Sequence, residues 1–130
     1  MIEIRWSKET NEIELGGTLQ DLQYIRQSIL HLIHQTDRTQ IIISTAIDFD
    51  PSPYSSRLSF LVIDKSENFI RVQIAADYLE VRGNPKKLEV FADWFDFESN
   101  LSQDHRHFEY YPGNELISPD SLPCVISVQS

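Results

Sequence analysis

Residues 69–95 decide the fold, and they read FIRVQIAADYLEVRGNPKKLEVFADWF. Residues 69–75 and 78–81 alternate apolar and polar side chains, which predicts two strands joined by a short turn. Asn84 followed by Pro85 indicates a helix start, with asparagine as the N-cap and proline at the first helical position. The buried face of this helix is predicted to contain Leu88, Phe91, Ala92 and Phe95.

Further elements are predicted on both sides of this ββα stretch. Residues 2–6 and 12–15 alternate as a pair of strands, and the segment after them has apolar residues at helical spacing. Thr18 with Asp21 resembles a capping box at the start of that helix. Gly16 and Gly17 are expected to end the strand before it. The remaining predicted strands span residues 40–47, 57–64, 105–110 and 124–128.

The two halves of the chain match at a spacing of 66 residues. The matching positions are Ile4-Arg5 with Ile70-Arg71, Glu14 with Glu80, Gly17 with Gly83, Leu22 with Leu88, Ser52-Pro53 with Ser118-Pro119, and Val62 with Val128. Self-similarity at a fixed period is the usual signature of an internal duplication. The chain is therefore predicted to be one α+β domain, 1–130, made of two tandem ββαββ repeats, 1–66 and 67–130.

Short turns between the strand pairs favour antiparallel pairing. The alternation leaves polar side chains on one side of nearly every strand and apolar ones on the other. That pattern is typical of a sheet with one covered face and one solvated face. We expect a mostly antiparallel sheet of eight strands, with both helices packed on one face and an open, charged opposite face.

Composition limits the function classes. The 130-residue chain has a formal net charge of -9. An acidic surface repels nucleic acids and anionic membranes, and it suits either a basic partner or simply solubility. The chain contains a single cysteine, Cys124, which fits a reducing compartment. The first residues do not read as a signal peptide, and the apolar runs are too short to span a bilayer. A cytoplasmic protein is expected.

The most distinctive polar segment is HRHFEYYPGN at residues 105–114. On a strand, His105, His107 and Glu109 point the same way, and Tyr110 points to the core. Two histidines two residues apart can reach one metal ion, with the carboxylate as a third ligand. The alternative is that they are polar side chains on a solvated face. A metal-binding domain or metalloenzyme is therefore the second hypothesis.

The sequence contains little that indicates catalysis. Cys124 follows Pro123 at the start of a predicted strand and is interpreted as a small core residue. The chain has neither a serine at a strand–turn–helix elbow nor a glycine-rich phosphate loop. We therefore expect a protein that is not an enzyme and needs no cofactor. Two proline- and serine-containing loops, 48–57 and 112–123, occupy equivalent places in the halves; they suit a protein contact, and the alternative is that they are ordinary turns.

The segment at residues 105–114, with SPDSLP at 118–123 and LEVRG at 79–83, resembles the C-terminal signature of the Imm32-like immunity-protein family of bacterial polymorphic toxin systems. The likeness is confined to the second half of the chain. It implies a non-enzymatic protein that binds and neutralises a cognate toxin in the cytoplasm. It places functional weight on His105, His107, Glu109 and Tyr110.

The leading hypothesis from the sequence is an immunity or inhibitor protein, monomeric or homodimeric, whose toxin partner is basic. Besides the four residues that the resemblance implies, the acidic residues expected to meet the partner are Glu12, Glu14 and Glu80. A third hypothesis, a small-molecule site between the halves, has no specific support in the sequence.

Overall fold

The computed structural model describes residues 1–54, 56–66, 68–97 and 105–129. Within these ranges the chain forms two helices and nine strands. The helices are α1 (Leu19–His34) and α2 (Pro85–Asp93). The strands are β1 (Glu3–Trp6), β2 (Ile13–Gly17), β3 (Gln40–Ser44), β4 (Ser56–Arg57), β5 (Phe60–Asp64), β6 (Arg71–Ala75), β7 (Tyr78–Arg82), β8 (His105–Phe108) and β9 (Cys124–Val128).

The strands form two sheets. Sheet A has the order β4-β1-β2-β9-β8, and sheet B has the order β3-β5-β7-β6. The α+β class is confirmed, but the prediction of a single eight-stranded sheet is wrong. Each sheet joins a hairpin from one half of the chain to a strand pair from the other half, through the parallel pairs β2–β9 and β5–β7. The alternation of side chains shows which face of a strand is buried, but it does not show which strand lies beside it.

The structure does not keep the 66-residue spacing of the predicted repeat at every pair of equivalent positions. The two helix N-caps are 66 residues apart, as the sequence predicts. At the parallel pairs, however, Ile13 lies beside Cys124 and Leu79 lies beside Leu61. Leu79 follows Ile13 by 66 residues, whereas Cys124 follows Leu61 by only 63. The internal duplication therefore stays a prediction.

Both predicted helix starts are confirmed. Thr18 accepts a hydrogen bond from the backbone N–H of Asp21, whose carboxylate accepts one from the N–H of Thr18, so the capping box is complete. The Asn84 side chain accepts from the N–H of Lys87. The strand before α1 ends at the predicted glycine pair, but it includes both residues: Gly16 lies within β2 and Gly17 is its last residue. In the part of the chain that is described, no helix is long and apolar enough to cross a membrane.

One hydrophobic core joins both helices to both sheets. The helices pack against each other, and the apolar side chains of α1 and α2 are buried as their spacing predicts. Fully burying a side chain of this size contributes about 1.5–3 kcal/mol. Phe91 of α2 packs edge-to-face on Phe108 of β8 with ring centroids 4.9 Å apart, and Trp94 packs on the same ring at 5.1 Å. These contacts anchor β8 to α2.

Each proline- and serine-containing loop runs along the first strand of its own half. On the two sides of the first loop, Ala46 donates a backbone hydrogen bond to Ile2 and Leu58 donates one to Ile4, at 2.8 and 3.0 Å. The second donates from Ser118 to Ile70 and from Leu122 to Val72, at 2.7 and 2.9 Å. The two loops therefore occupy comparable positions, one beside sheet A and one beside sheet B.

Candidate functional site

The outer side of sheet A collects most of the polar side chains that the sequence singled out. Strand register places Arg57, Arg5, Glu14, Val125 and His107 in one row across the five strands. With strands about 4.8 Å apart, this row is about 19 Å wide. We name this surface the charged face, and it consists of Glu3, Arg5, Glu12, Glu14, Arg57, His105 and His107.

Arg5 lies at the centre of the acidic part of the charged face. Its guanidinium is 3.3 Å from the carboxylate of Glu3 and 3.2 Å from that of Glu14. The Phe49 ring covers it, with 4.7 Å from Cζ to the ring centroid. The Arg5 side chain is only 15% exposed. Because this cation is held by two carboxylates and a ring, these side chains form an ordered patch before any partner arrives.

The first loop packs on the same patch. The Tyr54 hydroxyl donates a hydrogen bond to the Glu12 carboxylate at 3.0 Å, and Arg57 donates to the carbonyl oxygen of Phe49 at 2.8 Å. Burial raises the pKa of Tyr54 to about 12, and the hydrogen bond to Glu12 and the charge of Glu14 act in the same direction. The loop therefore presents aromatic side chains beside the carboxylates.

His105 and His107 lie at the other side of the charged face. The inward residues of β8 hold the strand in place, since Phe108 is in the aromatic cluster with α2 and Arg106 donates to the carbonyl oxygen of Asp93 at 2.9 Å. The two imidazole rings are consequently both exposed. Their centroids are 5.2 Å apart, with the planes at 80°. The strand pattern thus brings the two histidines together as the sequence predicts.

The structure does not add a third ligand to this pair. Among the residues that the structure describes, no group of three histidine, cysteine, aspartate or glutamate side chains is placed to hold a metal ion. Glu109 is exposed and follows the end of β8. The metal hypothesis therefore depends on the sequence pattern of His105, His107 and Glu109.

The other predicted partner-binding residues are on different surfaces. Tyr110 is half-buried and packs against the core. Glu80 is on the outer side of sheet B, where its carboxylate accepts hydrogen bonds from Arg82 at 2.8 and 3.2 Å. Of the seven residues predicted to meet a partner, the charged face contains Glu12, Glu14, His105 and His107. Because Glu80 belongs to the other sheet, the seven do not form one surface.

Cys124 is buried, as its interpretation as a core residue requires. Burial raises the pKa of its thiol, and the negative charges of Glu12 and Glu14 raise it further. A cysteine nucleophile needs an accessible thiolate in electropositive surroundings. The thiol of Cys124 is instead buried and lies near two negatively charged carboxylates.

Sequence reasoning missed an apolar patch on the outer side of sheet B. A groove of about 420 Å³ there is lined by this patch, Ile42, Phe60, Val62 and Tyr78, together with the polar residues Gln40, Asp77 and Glu80. Ile42 is 62% exposed and Phe60 38%. The signal was present in the sequence, because the run Ile41-Ile42-Ile43 places isoleucine on both faces of β3 instead of alternating.

A second groove lies between elements of the two halves, where the third hypothesis expected a small-molecule site. It has a volume of about 370 Å³ and is lined by Trp6, Asn11, Gln73, Ile74, Asp120 and Leu122. Its polar side chains are already bonded to one another: the Asn11 side chain accepts from Trp6 at 3.3 Å, and Asp120 accepts from Gln73 at 3.1 Å. Nothing in this lining favours a particular ligand.

Comparison of the sequence with protein-family models gave no match. Comparisons with curated proteins and with solved structures gave no significant match either.

Proposed function

We propose that this chain is a non-enzymatic binding protein of the bacterial cytoplasm, an immunity or inhibitor protein that neutralises a cognate toxin. The observation that carries the proposal is the charged face, on which the carboxylates of Glu3 and Glu14 pair with the Arg5 guanidinium and the carboxylate of Glu12 accepts a hydrogen bond from Tyr54 of the first loop. An ordered surface loses little conformational entropy when a partner binds. We assign toxin contact to this face and leave Glu80, which is on sheet B, out of it.

The charge of the chain supports a basic partner. A protein with a net charge of -9 attracts a cationic surface and repels an anionic one, so the toxin we expect is a basic protein. On the charged face itself, Arg5 and Arg57 offset two of the three carboxylate charges. Long-range attraction therefore comes from the whole chain, and the charged face supplies the local pattern that the partner recognises.

The size of the charged face indicates that the contact extends beyond it. Its row of about 19 Å, over strands of about 16 Å, covers roughly 300 Å². A standard interface buries about 800 Å² on each partner. The nearest additional surface is the first loop, whose Phe49 packs on the Arg5 guanidinium and whose Tyr54 bonds to the Glu12 carboxylate. Tyrosine is enriched at protein interfaces, so we include this loop in the binding surface.

The proposal is tested by partner capture followed by a protection assay. The tagged protein is used to capture partners from a lysate of its native host, and each captured protein is then expressed alone in a heterologous bacterium. We expect one captured basic protein to arrest growth and co-expression of this chain to restore it. Captured partners that are harmless, or toxicity that this chain does not relieve, would contradict the proposal.

A further inference from the structure

The groove over the apolar patch of sheet B has an acidic border. Its lining combines aliphatic and aromatic side chains with two carboxylates, and it contains no basic residue. Glu80 lies within β7 directly beside Val62 of β5, and Asp77 directly precedes β7. Both carboxylates therefore lie on the β7 side of the groove, whereas Ile42 lies on the β3 side.

The two carboxylates differ in what they already bond to. The Glu80 carboxylate accepts from the Arg82 guanidinium at 2.8 and 3.2 Å, with one bond on each oxygen. Each carboxylate oxygen has a second lone pair, so Glu80 can accept further hydrogen bonds. Asp77 is exposed, and no residue in the described part of the chain bonds to its carboxylate. Its backbone carbonyl oxygen accepts from Ser59 at 2.7 Å, which holds the turn before β7 in place.

The charged face shows which kind of group fits such surroundings. There the Arg5 guanidinium lies against the Phe49 ring and within 3.3 Å of the carboxylates of Glu3 and Glu14. Ring faces attract cations, and a guanidinium donates well-aligned hydrogen bonds to carboxylates. The groove on sheet B offers rings and carboxylates of the same kind, without a basic side chain in its lining.

We propose that this groove binds an arginine side chain of a basic partner protein. The aliphatic stem of the arginine packs on Ile42 and Phe60, as long basic side chains do on apolar surfaces. Its guanidinium stacks on the Tyr78 ring and donates hydrogen bonds to the carboxylates of Asp77 and Glu80. One side chain thus uses both the apolar and the acidic part of the groove.

Other occupants use only part of the groove. An apolar side chain covers the patch but takes the neighbouring carboxylates out of water without a hydrogen-bonding partner, which costs free energy. A second copy of this chain carries the same net charge of -9, so repulsion opposes its approach to an acidic groove. A cationic partner is attracted by the same charge. Charge complementarity therefore favours a basic protein.

The groove lies close to the charged face. Arg57 of β4 and Phe60 of β5 are three residues apart, so their Cα atoms are separated by at most about 11 Å. A basic partner on the charged face therefore has the groove within reach, and the groove adds area to the contact. In naming the same partner, the inference rests on the proposed function. Its test uses a peptide, so each can fail without the other.

Titration of the isotopically labelled full chain with a blocked peptide, acetyl-Ala-Leu-Arg-Leu-Ala-amide, tests the groove by NMR. We expect the backbone amide signals of Ile42, Phe60 and Asp77 to shift with a dissociation constant between about 0.1 and 5 mM. The same peptide with citrulline in place of arginine keeps the shape but loses the charge, and it should bind at least about fivefold more weakly. Equal affinities for the two peptides, shifts confined to the charged face, or no saturation up to about 10 mM would overturn the proposal.

Two variants of equal net charge separate a local contact from general attraction. Asp77→Asn changes the groove, and Glu89→Gln removes a carboxylate from the exposed side of α2. Both residues are exposed, so both variants should fold, and their amide spectra check this. Asp77→Asn should bind the arginine peptide at least about threefold more weakly than wild type, and Glu89→Gln should change the affinity by less than about twofold. An Asp77→Asn variant that binds this peptide as tightly as Glu89→Gln would contradict the proposal.

Discussion

Arg5 and Tyr54 show how single side chains organise the charged face. Arg5 contacts two carboxylates of the same sheet surface, and Tyr54 reaches a third from the loop. Arg5 and Tyr54 hold the carboxylates of Glu3, Glu12 and Glu14 in defined positions on this surface.

Tyr54 makes stability depend on alkaline pH. Folding raises the pKa of Tyr54 from 10.0 to about 12. Its hydroxyl therefore contributes fully to the free energy of unfolding below pH 10, and this contribution is lost as the pH rises through 12. Tyr54→Phe should therefore be less stable than wild type at pH 8, and the difference should shrink between pH 10 and 12. Urea unfolding of both proteins measures it. A difference that stays constant to pH 12 would show that the hydroxyl is not held as described.

Local elements were predictable wherever a short stretch of sequence determines them. The capping hydrogen bonds of Thr18 and Asn84 are made with residues three positions away, so the signals for both helix starts are complete in the local sequence. The outward positions of β1, β2 and β8 followed from alternation. The strand β2 ends at Gly17, whereas Gly16 lies within it, because glycine also fits within a strand where another group approaches closely.

The glycines before the helices differ in how closely the core approaches them. A Cβ atom on Gly83 would lie 2.6 Å from Cδ1 of the fully buried Ile70, whereas one on Gly16 would meet the flexible end of the Gln129 side chain. Gly83→Ala should therefore lower the free energy of unfolding by about 1–3 kcal/mol, and Gly16→Ala should cost clearly less. Chemical denaturation of the two variants compares them. Equal losses would contradict this packing.

At the scale of the whole molecule, strand partners were not predictable. Ile13 pairs with Cys124, which is more than one hundred residues later, and no local pattern encodes that choice. Because each sheet combines strands from both halves, Glu14 and Glu80 lie on different sheets although they occupy matching positions of the predicted repeat. The predicted binding residues were for this reason divided between two surfaces.

The measurement that tests the charged face most directly is the affinity of the captured toxin for two variants of equal net charge. One carries Glu12→Gln and Glu14→Gln, and the control carries Glu89→Gln and Glu115→Gln, both exposed and outside the charged face. We expect the first to bind at least about tenfold more weakly than the control, a difference of about 1.4 kcal/mol. Equal affinities for the two variants would contradict binding at the charged face.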